Sequence, residues 1–245
     1  MALLCCLAAL GAGMASWGVI MAVSADRAEE VLSAKVVSDS DASGDPDEGV
    51  AGEPRVDWEA LRGTSPSVVA WLVLPSRDIS LPVSQASEDD PDLFLDHGPD
   101  GAYNSVGTPF LDADCSVGDE RATVYGHNMH GGTVAFSRIA DTWKQDAFDS
   151  LGELLVLTPG EVGEDGRAST KVTRMRPAFA QVTSERDRRL TTFDGELGGW
   201  LSSMASTAAV KAELPLDGVK GELTLVTCSA PIPGQPERCA ITFVE

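Results

Sequence analysis

From residue 68 to residue 244 the chain is a succession of short apolar or β-branched runs separated by turns that hold Gly, Pro or Asp. The runs are 68–74, 79–83, 107–111, 123–125, 154–157, 171–182, 223–227 and 239–244. Runs of this length with turn residues between them read as strands, and many of them in succession point to a mainly β barrel or sandwich. Pro177 is expected to interrupt the run at 171–182. The last two runs flank a loop holding Pro231, Pro233, Gly234 and Pro236, which excludes a tight hairpin. One segment breaks the pattern. Phe193, Leu197, Trp200, Leu201 and Met204 recur at helical spacing and predict an amphipathic helix laid on the sheet. Residues 57–61 predict a short leading helix.

The N-terminal fifth has a different character. Residues 2–24 carry no charge, a run long enough to span a bilayer as a helix. An uncleaved signal anchor is the favoured reading. A cleaved signal peptide is the alternative, because Val23, Ser24 and Ala25 place small residues where a signal peptidase cuts. Ala28, Val31, Leu32 and Lys35 have helical spacing within 25–36. Residues 38–54 are rich in Ser, Asp, Glu, Gly and Pro and lack aromatics, so burial cannot offset their ordering entropy. We therefore expect an anchor at 1–24, a short helix and acidic flexible stalk at 25–55, and a folded domain at 56–245. With 38 acidic and 18 basic residues the net charge is −20, which argues against nucleic acid as a partner.

Five cysteines are present. Cys5 and Cys6 lie in the apolar run; Cys115, Cys228 and Cys239 lie in the domain. Three is odd, so a monomer keeps at least one unpaired thiol, which in an exported protein invites a functional explanation. A Cys115–Cys239 disulfide is compatible with this count. Strand alternation puts Thr224, Val226 and Cys228 on one face, with Cys228 at the strand end, where a rigid scaffold can present a nucleophile. His127 also follows an apolar run, through Gly126. His130 and His97 read as surface or core histidines, and no nearby Cys or Glu joins His127 and His130 in a metal ligand set. Arg238 lies ten residues beyond Cys228. It is a permanent cation with several donors, suited to an oxyanion. Alternation puts Cys239 on the face opposite Arg238. Thiol, imidazole and guanidinium together are the parts of a cysteine acyl-transfer site.

These residues resemble the sortases, most similarly class B. The family's TLxTC motif is matched by Thr224, Leu225, Val226, Thr227 and Cys228, its histidine segment by Gly126, His127 and Asn128, and its arginine on the following strand by Arg238. The likeness extends to 68–72, 81–85 and 107–112 and covers the chain from about Val56 onward. The helix around 193–204 is similar to the class B insertion between the sixth and seventh barrel strands. The resemblance implies an eight-stranded β-barrel with a short N-terminal helix or helices. It implies a membrane-anchored, single-pass enzyme with its domain outside the cell. Catalysis would rest on His127, Cys228 and Arg238, with no metal or organic cofactor. The implied partners are surface proteins or pilins bearing a C-terminal sorting signal, and an amine from cell-wall precursor or a pilin lysine. Two other classes compete: an exported thiol hydrolase of peptides or peptidoglycan, and a noncatalytic surface-binding module with a structural cysteine. Papain-type hydrolases place their cysteine at a helix start ahead of the histidine, the reverse of the order here.

Overall fold

The structure is a computed structural model that describes residues 36–38, 53–129, 136–184, 187, 190, 195–228 and 237–245, with 36–38 and 228 described by their backbone alone. The uncharged run at 2–24, the expected helix short of Val36, residues 39–52, His130, Phe193 and the Pro-rich loop lie outside the described residues. Among the described residues no helix is long and apolar enough to cross a membrane.

Among the described residues eleven strands are formed, β1 Val36–Ser38, β2 Pro54–Val56, β3 Val68–Leu74, β4 Ile79–Gln85, β5 Phe110–Leu111, β6 Arg121–Tyr125, β7 Leu154–Val162, β8 Ala168–Ser184, β9 Val210–Lys211, β10 Glu222–Cys228 and β11 Glu237–Val244. The described residues also form the α-helices α1 Trp58–Thr64, α2 Gln145–Asp149 and α3 Leu197–Ser206. The order β11-β10-β6-β5-β4-β3-β7-β8, with β8 pairing back onto β11, closes an eight-stranded barrel. Closure removes the free edges that an open sheet of this size would leave. β9 extends the sheet beside β8, and β1 pairs with β2, setting Ser38 opposite Pro54.

The barrel interior is filled by the inward residues of these strands, among them Leu72, Leu81, Val83, Val124, Leu154, Leu223, Leu225, Ile241 and Phe243. Asp57 caps α1 by accepting the Ala60 N–H at 3.0 Å. The helix then buries Trp58 and Leu61 against Trp71, Leu155 and Leu157. α3 lies between the sixth and seventh barrel strands, as expected, and packs Leu197, Leu201 and Met204 on the outer face of the barrel against Phe179, Val226, Ala240 and Val244.

The expected break at Pro177 does not occur, because β8 runs unbroken for 17 residues. Pro177 falls after the last pairing with β7, at Met175, and before the first with β9, at Phe179, where the register with β11 also shifts. A residue without an N–H fits a strand only at such a gap. The run at 107–111 yields only the two residues of β5 as strand. Val36, taken as the end of a helix, lies in β1.

Candidate active site

β10 lies between β6, to which it runs parallel, and β11, to which it runs antiparallel. Cys228 is directly opposite Arg238 in the antiparallel register. Directly opposed residues share a face, with Cβ atoms about 5 Å apart. On the other side Val226 pairs with Tyr125, and the Gly126 N–H carries the ladder one step further by donating to the Val226 carbonyl at 3.0 Å. One residue beyond Gly126 is His127; two beyond Val226 is Cys228. The three residues picked from sequence thus come together at one end of three adjacent strands, as a consequence of register.

His127 is held from outside the sheet. Its Nε2 is 2.8 Å from the Leu95 carbonyl. A carbonyl only accepts, so Nε2 carries a hydrogen in this pose and Nδ1 is the nitrogen left for proton exchange. The peptide N–H of Phe136 donates to the His127 carbonyl at 3.1 Å. Gly126 makes this junction: a Cβ there would stand 2.6 Å from the buried ring of Phe136. Gly107, at φ +69°, does the same for the turn carrying Leu95, since a Cβ there would meet the Phe94 carbonyl at 2.4 Å.

Arg238 is half-buried and lines a cavity of about 450 Å³ together with Leu95, Asp112, Tyr125, Asp187, Leu190 and Val226. Burial raises the Tyr125 phenol above its ordinary range, and the neighbouring Asp112 carboxylate adds to the rise. The phenol therefore stays protonated as a donor on the cavity wall. Gln85 holds the turn after β5 by donating from Nε2 to the Cys115 carbonyl at 3.1 Å.

Cys239 is on the other face, as alternation requires. It is fully buried in the barrel, 3.5 Å from Thr142 Oγ1, and burial pushes its thiol up to about 11. Cys115 and Cys239 are both free, so the disulfide that the count allowed is not made. His97 bonds the Leu93 carbonyl at 3.0 Å and Asp96 at 2.6 Å and packs edge-on against Tyr103, a structural role. Among the described residues no three His, Cys, Asp or Glu side chains are grouped to hold a metal ion. Sequence reasoning missed the Leu95 carbonyl and Asp112. They lie in loops without periodicity, and only the fold brings them to the cavity.

No protein-family model matches the chain, and no curated protein matches it. Solved structures do. The chain is similar to Clostridium perfringens sortase B at 20% identity and TM-score 0.63, over 76% of this chain and 98% of that one. A Streptococcus pyogenes class B sortase involved in pilus biogenesis matches at 18% identity and TM-score 0.62, over 78% and 98%. Bacillus anthracis sortase B matches at 16% identity and TM-score 0.62, over 89% and 95%. The chain has a class B-like sortase fold. The barrel and the helix between its sixth and seventh strands were both expected from the resemblance, and both are present.

Proposed function

We propose that this chain is a sortase-type cysteine transpeptidase. The observation that carries the reading is the register of β6, β10 and β11, which aligns His127, Cys228 and Arg238 beside a cavity large enough for a peptide segment. The Cys228 thiolate attacks the carbonyl of a threonyl peptide bond in a C-terminal sorting signal. Arg238 donates to the oxyanion that forms. The C–N bond then breaks, His127 protonates the departing amine, and a thioester to Cys228 remains. An incoming amine gives its proton to His127 and attacks the thioester, forming a new amide and releasing the Cys228 thiolate. Every proton and acyl group is accounted for by these three side chains and the two substrates.

On this reading residues 1–24 anchor the protein in the membrane, 25–55 form the stalk, and the domain at 56–245 faces the outside, where exported substrates pass. The acyl donors are surface proteins or pilins with a sorting signal, and the acceptor is an amine of cell-wall precursor or a pilin lysine. The test is to incubate the domain with a panel of sorting-signal peptides and amine acceptors and to weigh the products. Joined products that vanish with Cys228→Ala support the reading. Hydrolysis unchanged by added amines supports a thiol hydrolase instead.

A further inference from the structure

The outward face of β6 carries Arg121 and Thr123, both directed at one distant atom. Arg121 Nη2 donates to the Leu190 carbonyl at 2.5 Å, and Thr123 Oγ1 donates to the same oxygen at 3.2 Å. Leu190 is one wall of the cavity beside Arg238. The Leu190 N–H in turn donates to the Asp187 carbonyl at 3.1 Å, and Asp187 is tied to β8 by the Thr183 hydroxyl at 2.6 Å. Thr183 is the register partner of Arg238. The wall is thus pinned at one point from β8 and at another from β6.

Arg121 is itself elaborately held. Its side chain is only 10% exposed, and Glu222, its register partner, stands with Oε1 3.4 Å from Arg121 Nε. The guanidinium lies 4.4 Å over the ring of Trp200 on α3. Glu222 accepts from Thr224 at 2.8 Å, and Thr224 bonds Thr242 at 2.9 Å. A buried arginine beside a buried carboxyl is a poor way to add stability, since apolar residues of the same volume do as well or better. It is a good way to aim a fork of donors at one carbonyl. Arg121 is six residues from His127, about 20 Å along an extended strand, so it touches no reacting atom.

We infer that Arg121 is a positioning residue: with Thr123 it clamps the Leu190 carbonyl and so sets the wall against which the acyl-donor peptide is bound. The inference rests on the reading of the site given above. The test compares Arg121→Met, Thr123→Val, Arg121→Lys and the double variant Arg121→Met/Glu222→Gln, which leaves no unpaired carboxylate. Loss of a charge-assisted bond should raise KM for a sorting-signal peptide about tenfold in the Met variants and about threefold in Thr123→Val. Arg121→Lys should fall between wild type and Met. Turnover at saturation and KM for the amine should stay within about twofold of wild type. Amide exchange at Asp187 and Leu190 should quicken in the same order. Cys228 labelling by a sorting-signal peptide vinyl sulfone should slow relative to labelling by methyl vinyl sulfone. Unchanged KM and an unchanged labelling ratio in Thr123→Val and the double variant would overturn the clamp. So would equal losses with the peptide and with the small reagent. If wild type is labelled but joins no amine, the transpeptidase reading fails, and the labelling ratio still decides the clamp.

Discussion

The two faces of β6, β10 and β11 differ in what they carry. The inner face carries Ala122, Val124, Leu223, Leu225, Cys239, Ile241 and Phe243, packed in the barrel. The outer face of the same strands carries Arg121, Thr123, Glu222, Thr224, Thr242 and Arg238 beside the apolar Val226, Ala240 and Val244, and ends at Cys228. One residue of shift separates the two sets, and with it two cysteines of opposite character. Cys239 is an inert core thiol, whereas Cys228 stands at the strand end opposite an arginine. The same backbone serves two purposes because its side chains alternate, so stability and chemistry can be set independently on adjacent residues.

That comparison can be broken by substitutions on either face. Cys228→Ala should lower transpeptidation by at least roughly 10⁴-fold with the thermal midpoint nearly unchanged. A Cys228→Ala protein that keeps its activity would end the assignment. Arg238→Lys should lower turnover by about 10²–10³-fold, because an ammonium cannot reproduce the donor fork, again without loss of stability. The inner face should respond the other way. Leu225→Ala, at a site 1% exposed, should cost about 2–5 kcal/mol in urea unfolding and leave activity per folded molecule intact.

The thiols sharpen the contrast further. With its thiol near 11, Cys239 has about one molecule in a thousand as thiolate at pH 8 and no solvent path. Native protein treated briefly with iodoacetamide should carry label on Cys228 and none on Cys239, read by peptide mass. Equal labelling of the two would contradict the face assignment.

The last contrast concerns Glu222, a carboxyl on the outer face that is as buried as the core. Burial raises it from the ordinary 4.5 to about 8, with Thr224, Arg121 and the Ala122 N–H opposing the rise. Between those values the folded state holds a proton that the unfolded chain has released. The stability this contributes is complete below about pH 4.5 and is lost as pH rises through about 8. Glu222→Gln cannot titrate, so the decline of the urea midpoint from about pH 5 to about pH 8 should be shallower than in wild type. Parallel declines in the two proteins would show that Glu222 does not titrate there.

Much of the barrel could be read from residues 68–244 because strand formation leaves a local record. β3 coincides with the apolar run at 68–74, and β10 and β11 extend theirs by one or two residues. The buried residues of α3 are those that the helical spacing selected, Leu197, Leu201 and Met204. α2 and β9 were missed, since five and two residues are too short to show a period. For the candidate site, Cys228, His127 and Arg238 were selected from residue chemistry and strand ends. The clamp on the cavity wall was not. Leu190 meets Arg121 across 69 residues of chain, and nothing near either one signals the other.

By itself, then, the sequence determined where strands form, which residues share a face, and which side chains could act as nucleophile, proton carrier and oxyanion donor. Those properties depend on consecutive residues, through backbone sterics and the two-residue alternation of the pleat. Only the tertiary structure decided that β6 runs parallel beside β10, that β8 closes on β11, and that a row from Arg121 to Thr242 is buried under α3. Pairing partners are chosen by the burial that the whole barrel achieves, a sum over residues far apart in the chain that no local pattern contains.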